Sequence, residues 1–289
     1  MDLVWDMETG DPDDFMTLLW LADHPQINLK AVTVTPGSRS QIGVVRWGLE
    51  QLGVDLPVGA YNIEHPKESV SDWHYSTFGL IQPRDDAEPG WKVLAENLDI
   101  NTTLLTGAPL KNLKILLRDH LPEGFELGRW VAQGGFAGDN LVAPEHRLEK
   151  FNGMITCPTY NFNGDPKGAN LALVHPVIKE RRCVSKNICH GVVYDGKFHE
   201  AVGTVRDTRK SMRMIYDAMT GYLRKHPEGK KFHDPLAACC ALDPSIAQWT
   251  QVEVYRAQGK WGSRAAEGSG TWITVAVDHA AFLRAFTGT

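Results

Sequence analysis

Five acidic residues lie within nine positions near the start of the chain: Asp6, Glu8, Asp11, Asp13 and Asp14. They follow the apolar residues 3–5, which predict a strand, and precede residues 15–22, whose periodicity predicts an amphipathic helix. Loops at the carboxyl ends of parallel strands face the ligand crevice of an open α/β sheet. Because crowded carboxylates repel one another unless a cation lies among them, this loop predicts a site for Ca²⁺ or Mg²⁺. The alternative is an acidic helix cap on a solvated loop.

The elements that must position this loop alternate along the chain. Strand-like and helix-like segments follow one another at 29–34, 41–52, 56–58, 102–105, 110–117 and 130–132. This alternation is typical of a mainly parallel sheet covered by helices. Near the end, residues 251–255 and 271–277 predict an antiparallel hairpin around a Gly- and Ser-rich loop, 259–270, before a short helix. We therefore predict one α/β domain, residues 1–289, with a Rossmann-like parallel sheet and an antiparallel hairpin.

The composition excludes several classes of partner. With 30 basic and 35 acidic residues, the formal net charge is −5, which offers no electrostatic footprint for polymeric nucleic acid or an anionic membrane surface. No apolar run is long enough to span a bilayer, and nothing at the N-terminus resembles a signal peptide. The five cysteines have no CxxC spacing, so we interpret them as reduced thiols and predict a cytoplasmic protein.

Further segments follow the acidic loop in order and resemble the motifs of one enzyme family. They are TGAPLKN at 106–112, VAQGG at 131–135, NFNGDP at 161–166, HDPL at 233–236 and ALDP at 241–244. Residues 6–14 are similar to the family's acidic signature, DxDxGxDD. The chain thus resembles the inosine-uridine preferring nucleoside hydrolase family over essentially its whole length. The resemblance implies the nucleoside hydrolase fold, a homodimer or homotetramer, and Ca²⁺-dependent hydrolysis of a ribonucleoside to free base and ribose.

The resemblance also implies roles for individual residues. The metal ligands would be Glu8, Asp14, Asp234 and the carbonyl of Thr106. The catalytic residues would be Glu8, in place of the family's water-activating Asp, Asp13, which favours a cationic transition state, and His233, a general acid to the departing base. The substrate-binding residues would be Asp13, Ser38, Arg39, His74, Gln133, Asn161, Asn163 and His233. Trp73 and Trp91 are candidates to stack on the nucleobase.

The acidic loop departs from the family's pattern. It carries Glu8 in place of Asp and one extra residue before Asp13. The ligand assignment among Asp6, Glu8 and Asp11 therefore stays open.

Two further departures concern the sugar site. Ser38 and Arg39 replace the usual Asn after the second strand, and Asn161 replaces a Glu near the 5′-hydroxyl. Loss of that carboxylate, with Arg39 or Lys167 available as a cation, predicts as one alternative a nucleoside 5′-monophosphate or another 5′-modified ribosyl substrate. A second alternative is a non-catalytic, calcium-dependent nucleoside-binding protein.

Overall fold

An eleven-stranded sheet organises the fold, and the computed structural model describes residues 1–289. The strands are β1 Asp2–Met7, β2 Asn28–Val34, β3 Val58–Ala60, β4 Glu88–Pro89, β5 Thr103–Thr106, β6 Leu127–Gln133, β7 Thr156–Cys157, β8 Ile178–Val184, β9 Val193–Tyr194, β10 Lys230–Lys231, β11 Ala247–Ala257, β12 Lys260–Ala265 and β13 Thr271–Val277. In the sheet they run in the order β4-β3-β2-β1-β5-β6-β8-β13-β11-β12-β7, and β9 and β10 form a separate antiparallel pair.

Twelve α-helices connect and cover the strands. They are α1 Pro12–Ala22, α2 Arg39–Leu52, α3 Asp72–Phe78, α4 Gly90–Asn97, α5 Lys111–Asp119, α6 Tyr160–Gly164, α7 Pro166–Val174, α8 Lys186–Cys189, α9 Gly196–Val205, α10 Lys210–Lys225, α11 His233–Leu242 and α12 His279–Thr287. No helix is both long and apolar enough to cross a membrane.

The parallel part of the sheet separates two hydrophobic cores. The larger core contains residues of α1, α2 and α9 to α12, and the smaller one contains residues of α4, α5 and α7. The central strand β1 is parallel to both β2 and β5. Since helices cover both faces, β1 is buried on both sides and its residues 3–5 form a continuous apolar run. The predicted single α/β domain with a mainly parallel sheet is confirmed.

The end of the chain contains one strand more than the predicted hairpin. β11 is antiparallel to β13, as predicted, but it also pairs with β12, which lies inside the segment predicted as a loop. The loop prediction for residues 259–270 was therefore wrong over β12. Glycine and serine in this strand weaken its sequence pattern, whereas packing stabilises it: Trp261 is fully buried, with its ring 5.1 Å from that of Phe162.

Candidate active site

A cavity of about 340 Å³ lies where the parallel strands end. The segments that follow β1 and β5 meet there with the last residue of β6 and the first residues of α6 and α11. Its lining residues are Glu8, Gly10, Asp11, Asp13, Asp14, Gly107, Gln133, Tyr160, Asn161, His233 and Asp234. We call this space the central cavity. Its position matches the crevice that binds ligands in open α/β sheets.

The acidic loop forms the start of α1 as well as one wall of the central cavity. Pro12 occupies the first helical position, where its fixed φ suits the helix and no N–H is lost. The carboxylate of Asp14 accepts a hydrogen bond from the N–H of Asp11 at 3.3 Å, which caps the first turn. The acids thus cap the helix, but the loop is not solvated as that alternative supposed, because Asp13 and Asp14 are buried and line the cavity.

Asp13 links the acidic loop to α11. Its Oδ2 accepts hydrogen bonds from the backbone N–H groups of His233 and Asp234 at 2.9 and 3.2 Å, and its Oδ1 lies 3.0 Å from Nζ of Lys230. Burial alone would raise the pKa of Asp13, but the Lys230 ammonium and these contacts lower it below its ordinary value. Asp13 is therefore a fixed negative charge. Lys230 also contacts Asp11, 2.9 Å away.

Asp14 and Asp234 form a buried pair of carboxyl groups. They are 2% and 5% exposed and lie within hydrogen-bond reach of each other. Burial, and then each other's charge or that of neighbouring acids, raises both pKa values well above the ordinary range. Oδ1 of Asp14 has no hydrogen-bond partner. Such a pair needs a shared proton or a cation between its members.

Gly107 leaves room beside this pair. A Cβ at this position would lie 2.7 Å from Oδ1 of Asp234 and 2.4 Å from the Trp5 ring. The backbone that follows Thr106 can therefore approach the carboxylates closely because residue 107 has no side chain.

Glu8 and Asp6, the remaining acids of the loop, lie in different surroundings. Glu8 lines the central cavity, 3.5 Å from the hydroxyl of Tyr160, and burial followed by the charge of Asp11 raises its pKa to about 8. Asp6 is fully buried and does not line the cavity. Its Oδ1 accepts hydrogen bonds from Thr33 and Asn112 at 2.6 and 2.9 Å, and burial raises its pKa to about 7.

The central cavity offers carboxylate and carbonyl oxygens, which are the ligands that a hard divalent cation prefers. Glu8, Asp14 and Asp234 line the cavity, and buried Thr106 directly precedes Gly107 on its wall. The side chains do not form a closed cluster by themselves, because no three acidic, histidine or cysteine groups converge on one point. The unpartnered oxygen of Asp14 beside Asp234 is the feature that fits a cation best.

His233 faces the cavity from the first position of α11. Burial lowers its pKa to about 4 despite the nearby Asp13, so the imidazole is neutral at neutral pH. Its Nε2 is buried without a hydrogen-bond partner, and its ring centroid lies 4.7 Å from that of His190. A neutral ring offers one N–H donor and one acceptor. Protonation of a leaving group by an imidazolium would first require this pKa to rise when substrate binds.

Four of the predicted substrate-binding residues, Asp13, Gln133, Asn161 and His233, line the central cavity, and Asn163 lies next to it. The amide of Asn161 donates hydrogen bonds to the carbonyl and the side-chain oxygen of Gln133 at 3.0 and 2.8 Å, so the two side chains hold each other in place. Asn163 points elsewhere: it donates to the carbonyl of Gly259 and accepts from Trp261, and it lines an adjoining cavity.

The structure does not bring Ser38 and Arg39 to the central cavity. Ser38 precedes α2, where its hydroxyl oxygen accepts a hydrogen bond from the N–H of Gln41. Arg39 has a half-exposed side chain, 2.6 Å from Glu64. Ser38 therefore caps α2, and Arg39 forms an ion pair with Glu64.

His74 also lies outside the central cavity. Its ring is fully buried against Phe15 and Trp73, its Nδ1 contacts the carbonyl of Ser71 at 3.1 Å, and its Nε2 has no partner. Burial lowers the pKa of His74 to about 4. The residue belongs to the core around α3.

This buried histidine makes stability depend on pH. Its pKa is lowered from 6.5 to about 4 on folding, so the unfolded chain binds the extra proton first as pH falls. Stability is therefore lost from pH 6.5 to pH 4, by about 3 kcal/mol for this residue. We expect His74→Asn to be less stable than the parent at pH 7 and to lose that deficit towards pH 4, in urea titrations. A deficit that stays constant with pH would contradict this.

Two further cavities adjoin the central one. The second, of about 610 Å³, shares Glu8 and Tyr160 with it, and the third, of about 660 Å³, shares Gly10 and Asp11. The second and third cavities have no lining residue in common, so they meet the central cavity at different walls.

The third cavity is lined partly by aromatic side chains. Trp73 and Tyr222 lie on its wall, with His226 beside them. Of the two tryptophans considered for base stacking, only Trp73 lies near the site, because Trp91 stacks on His120 with ring centroids 3.7 Å apart and lines none of the three cavities.

Lys230 and Tyr160 are the site residues that sequence reasoning missed. Lys230 follows Glu228 and Gly229 and precedes Lys231, a pattern typical of a surface turn, yet it is 6% exposed between two aspartates. Tyr160 directly precedes the NFNGDP motif and could have been found only by considering the residues that flank it.

Solved structures with the same fold extend over the whole chain. A purine-preferring ribonucleoside hydrolase from Gardnerella vaginalis has a TM-score of 0.68 and 16% identity, and covers 99% of this chain and 97% of its own. An inosine-uridine preferring nucleoside hydrolase from Bacillus anthracis has a TM-score of 0.69 and 19% identity, and the match covers 100% of this chain and 98% of that protein. A plant nucleoside hydrolase, PpNRh1, has a TM-score of 0.71 and 19% identity, with 100% and 99% covered. The fold is that of the nucleoside hydrolases.

Sequence comparison identifies the family of the chain. The family model for the inosine-uridine preferring nucleoside hydrolases matches residues 3–284. A protein of Aquifex aeolicus (strain VF5), described only as uncharacterized, is 30% identical over 288 residues, which cover 95% of this chain and 94% of that protein. The chain belongs to the inosine-uridine preferring nucleoside hydrolase family and is an N-glycosyl hydrolase, as its motifs predicted.

Proposed function

We propose that this enzyme uses Ca²⁺ to hydrolyse the N-glycosidic bond of a ribonucleoside, with the ribose in the central cavity. The observation that carries the proposal is the convergence of the acidic loop with α11: Asp13 and Asp14 lie against His233 and Asp234 although about 220 residues separate them in sequence. No requirement of folding explains a buried, mutually repelling pair such as Asp14 and Asp234, whereas a cation site does.

Glu8, Asp14, Asp234 and the carbonyl of Thr106 would hold the cation. When bound, Ca²⁺ would supply a positive charge that acidifies water and orients ribose hydroxyls. Glu8 is the candidate to accept a proton from the attacking water. Without a cation its pKa of about 8 leaves it mostly protonated at neutral pH, and a bound cation would lower that pKa and free the carboxylate to act as a general base.

Asp13, together with the side-chain amides of Asn161 and Gln133, would position and stabilise the sugar. The fixed charge of Asp13, held by two N–H groups and Lys230, favours the positive charge that develops on ribose as the bond to the base breaks. Asn161, oriented by Gln133, offers its free carbonyl oxygen to a sugar hydroxyl.

His233 would assist the departure of the base. Its buried Nε2 has no protein partner, so the ring is free to bind a base nitrogen as the bond breaks. The base would extend towards the third cavity, where Trp73 and Tyr222 offer aromatic surface.

The proposal is tested by ribose release from a panel of purine and pyrimidine ribonucleosides. We expect release that stops when the protein is treated with a chelator and returns when Ca²⁺ is added back. Binding without release would support the non-catalytic alternative, and release that is indifferent to chelation would refute the metal. Sedimentation analysis tests the homodimer or homotetramer that the family resemblance predicts.

A further inference from the structure

The second cavity differs from the central one in charge. Apart from Glu8 at the shared boundary, its lining contains no carboxylate, and it contains Lys111 and Lys186, which begin α5 and α8. The central cavity, in contrast, is lined by five acidic side chains and no lysine. A cationic chamber therefore opens directly from an acidic one.

Neither lysine of the second cavity has an acidic partner. Nζ of Lys111 stands 5.3 Å from the centre of the Tyr61 ring, and Nζ of Lys186 donates to the carbonyl of Pro158 at 2.8 Å. The more deeply buried lysines near the site are neutralised instead: Lys230 lies between two aspartates and Lys114 contacts Asp165. Two lysines without acidic partners give this cavity a positive charge that would attract an anionic group of a ligand.

Thr159 adds an uncharged donor to the same wall. The residue is 3% exposed, lines the second cavity, and its hydroxyl has no hydrogen-bond partner. Two ammonium groups and a hydroxyl suit a group with several strong acceptor oxygens, such as a phosphate monoester.

We propose that the substrate is a ribonucleoside 5′-monophosphate, whose phosphate lies in the second cavity against Lys111, Lys186 and Thr159. The inference rests on the proposed function and names its substrate class. With ribose in the central cavity and the base towards the third cavity, the second cavity receives the other end of the nucleotide, because it meets the central cavity at a different wall. Arg39 and Lys167, which the sequence suggested as phosphate partners, do not line it.

The reaction remains a simple hydrolysis. The bond between C1′ and the base nitrogen breaks, and the oxygen of one water bonds to C1′. One proton of that water ends on the base and the other stays on the new hydroxyl. The products are the free base and ribose 5-phosphate, with the phosphate ester unchanged.

The experiment compares release of the base from uridine and inosine with release from their 5′-monophosphates. We expect kcat/KM for each monophosphate to exceed that of its nucleoside by about 100-fold, because two charge-assisted contacts are added. Lys111→Met and Lys186→Met should each reduce this ratio by about tenfold, whereas Lys111→Arg and Lys186→Arg should retain most of it. Lys210→Met, a change to an exposed lysine on α10, should leave the ratio unaltered.

Each other outcome overturns the inference in a recognisable way. If nucleosides are hydrolysed as fast as their monophosphates, the enzyme does not recognise the phosphate, and the proposed N-glycosidase activity stands. If the ratio of kcat/KM for monophosphate to that for nucleoside is unchanged in both methionine variants, the phosphate does not bind in the second cavity. If orotidine, whose base carries a carboxylate, is hydrolysed faster than uridine 5′-monophosphate, the enzyme recognises an anionic group on the base and not a 5′-phosphate. Hydrolysis of none of these compounds overturns the proposed function together with the inference.

Discussion

If the proposed cation site is right, Asp14→Asn is expected to lower kcat/KM for ribonucleoside hydrolysis by about 10³-fold, because a cation that would contribute several kcal/mol to the transition state would lose a buried ligand. The same change should abolish stabilisation by Ca²⁺. For the parent protein, Ca²⁺ at 100 times its Kd should add about 3 kcal/mol to the free energy of unfolding. Thermal melts with chelator and with Ca²⁺, alongside steady-state kinetics, measure both effects.

The same variant should leave the cation-free protein at least as stable as the parent. An amide at residue 14 can accept the N–H of Asp11 and donate to Asp234, so the repulsion within the buried pair is relieved. Opposite effects on activity and on cation-free stability distinguish a ligand from a structural residue. Asp85→Asn, at an exposed position, is the matched control. A calcium-dependent melting temperature that persists in Asp14→Asn would refute the ligand assignment.

His233→Ala is expected to slow hydrolysis of natural nucleosides by about 10²-fold or more, the usual contribution of a group that assists proton transfer. The bases of natural nucleosides are poor leaving groups and need a partner as the bond breaks. An activated aryl riboside such as p-nitrophenyl riboside needs none, so its kcat should change little. Parallel kinetics on both substrates with one enzyme preparation provide the measurement and its internal control.

Equal losses on the two substrates would show that His233 acts by positioning α11 instead. The backbone N–H of His233 is one of the two donors to Asp13. An alanine keeps this N–H, so a backbone role alone should survive the substitution.

The fold was predictable where local pattern and tertiary environment agree. β1, α1 and β2 follow apolar runs and helical periodicity, because their burial depends on their own side chains. The strand β12 was not predictable, since its sequence carries Gly262 and Ser263 and its order comes from pairing with β11 and from the packing of Trp261.

The site was predictable to the extent that its residues are adjacent in sequence. The acidic loop and the His233–Asp234 pair belong to continuous motifs, and the structure brings them together. Ser38 was misplaced although a local signal existed: Ser38 and Gln41 have the spacing of a helix capping box. Lys230 had no signal at all, because its burial arises only when the β9–β10 pair brings it between Asp11 and Asp13.

The hydrogen bond between Asp13 and the N–H of His233 spans 220 residues, which has a consequence for biosynthesis. At a translation rate of about 5 to 20 residues per second, the acidic loop emerges roughly 10 to 40 seconds before its partners on α11. Until then its carboxylates are solvated by water and free ions. A nascent or prematurely terminated chain that lacks α11 therefore holds the acids of the site without the donors that orient them, and catalytic competence cannot arise before α11 has been made.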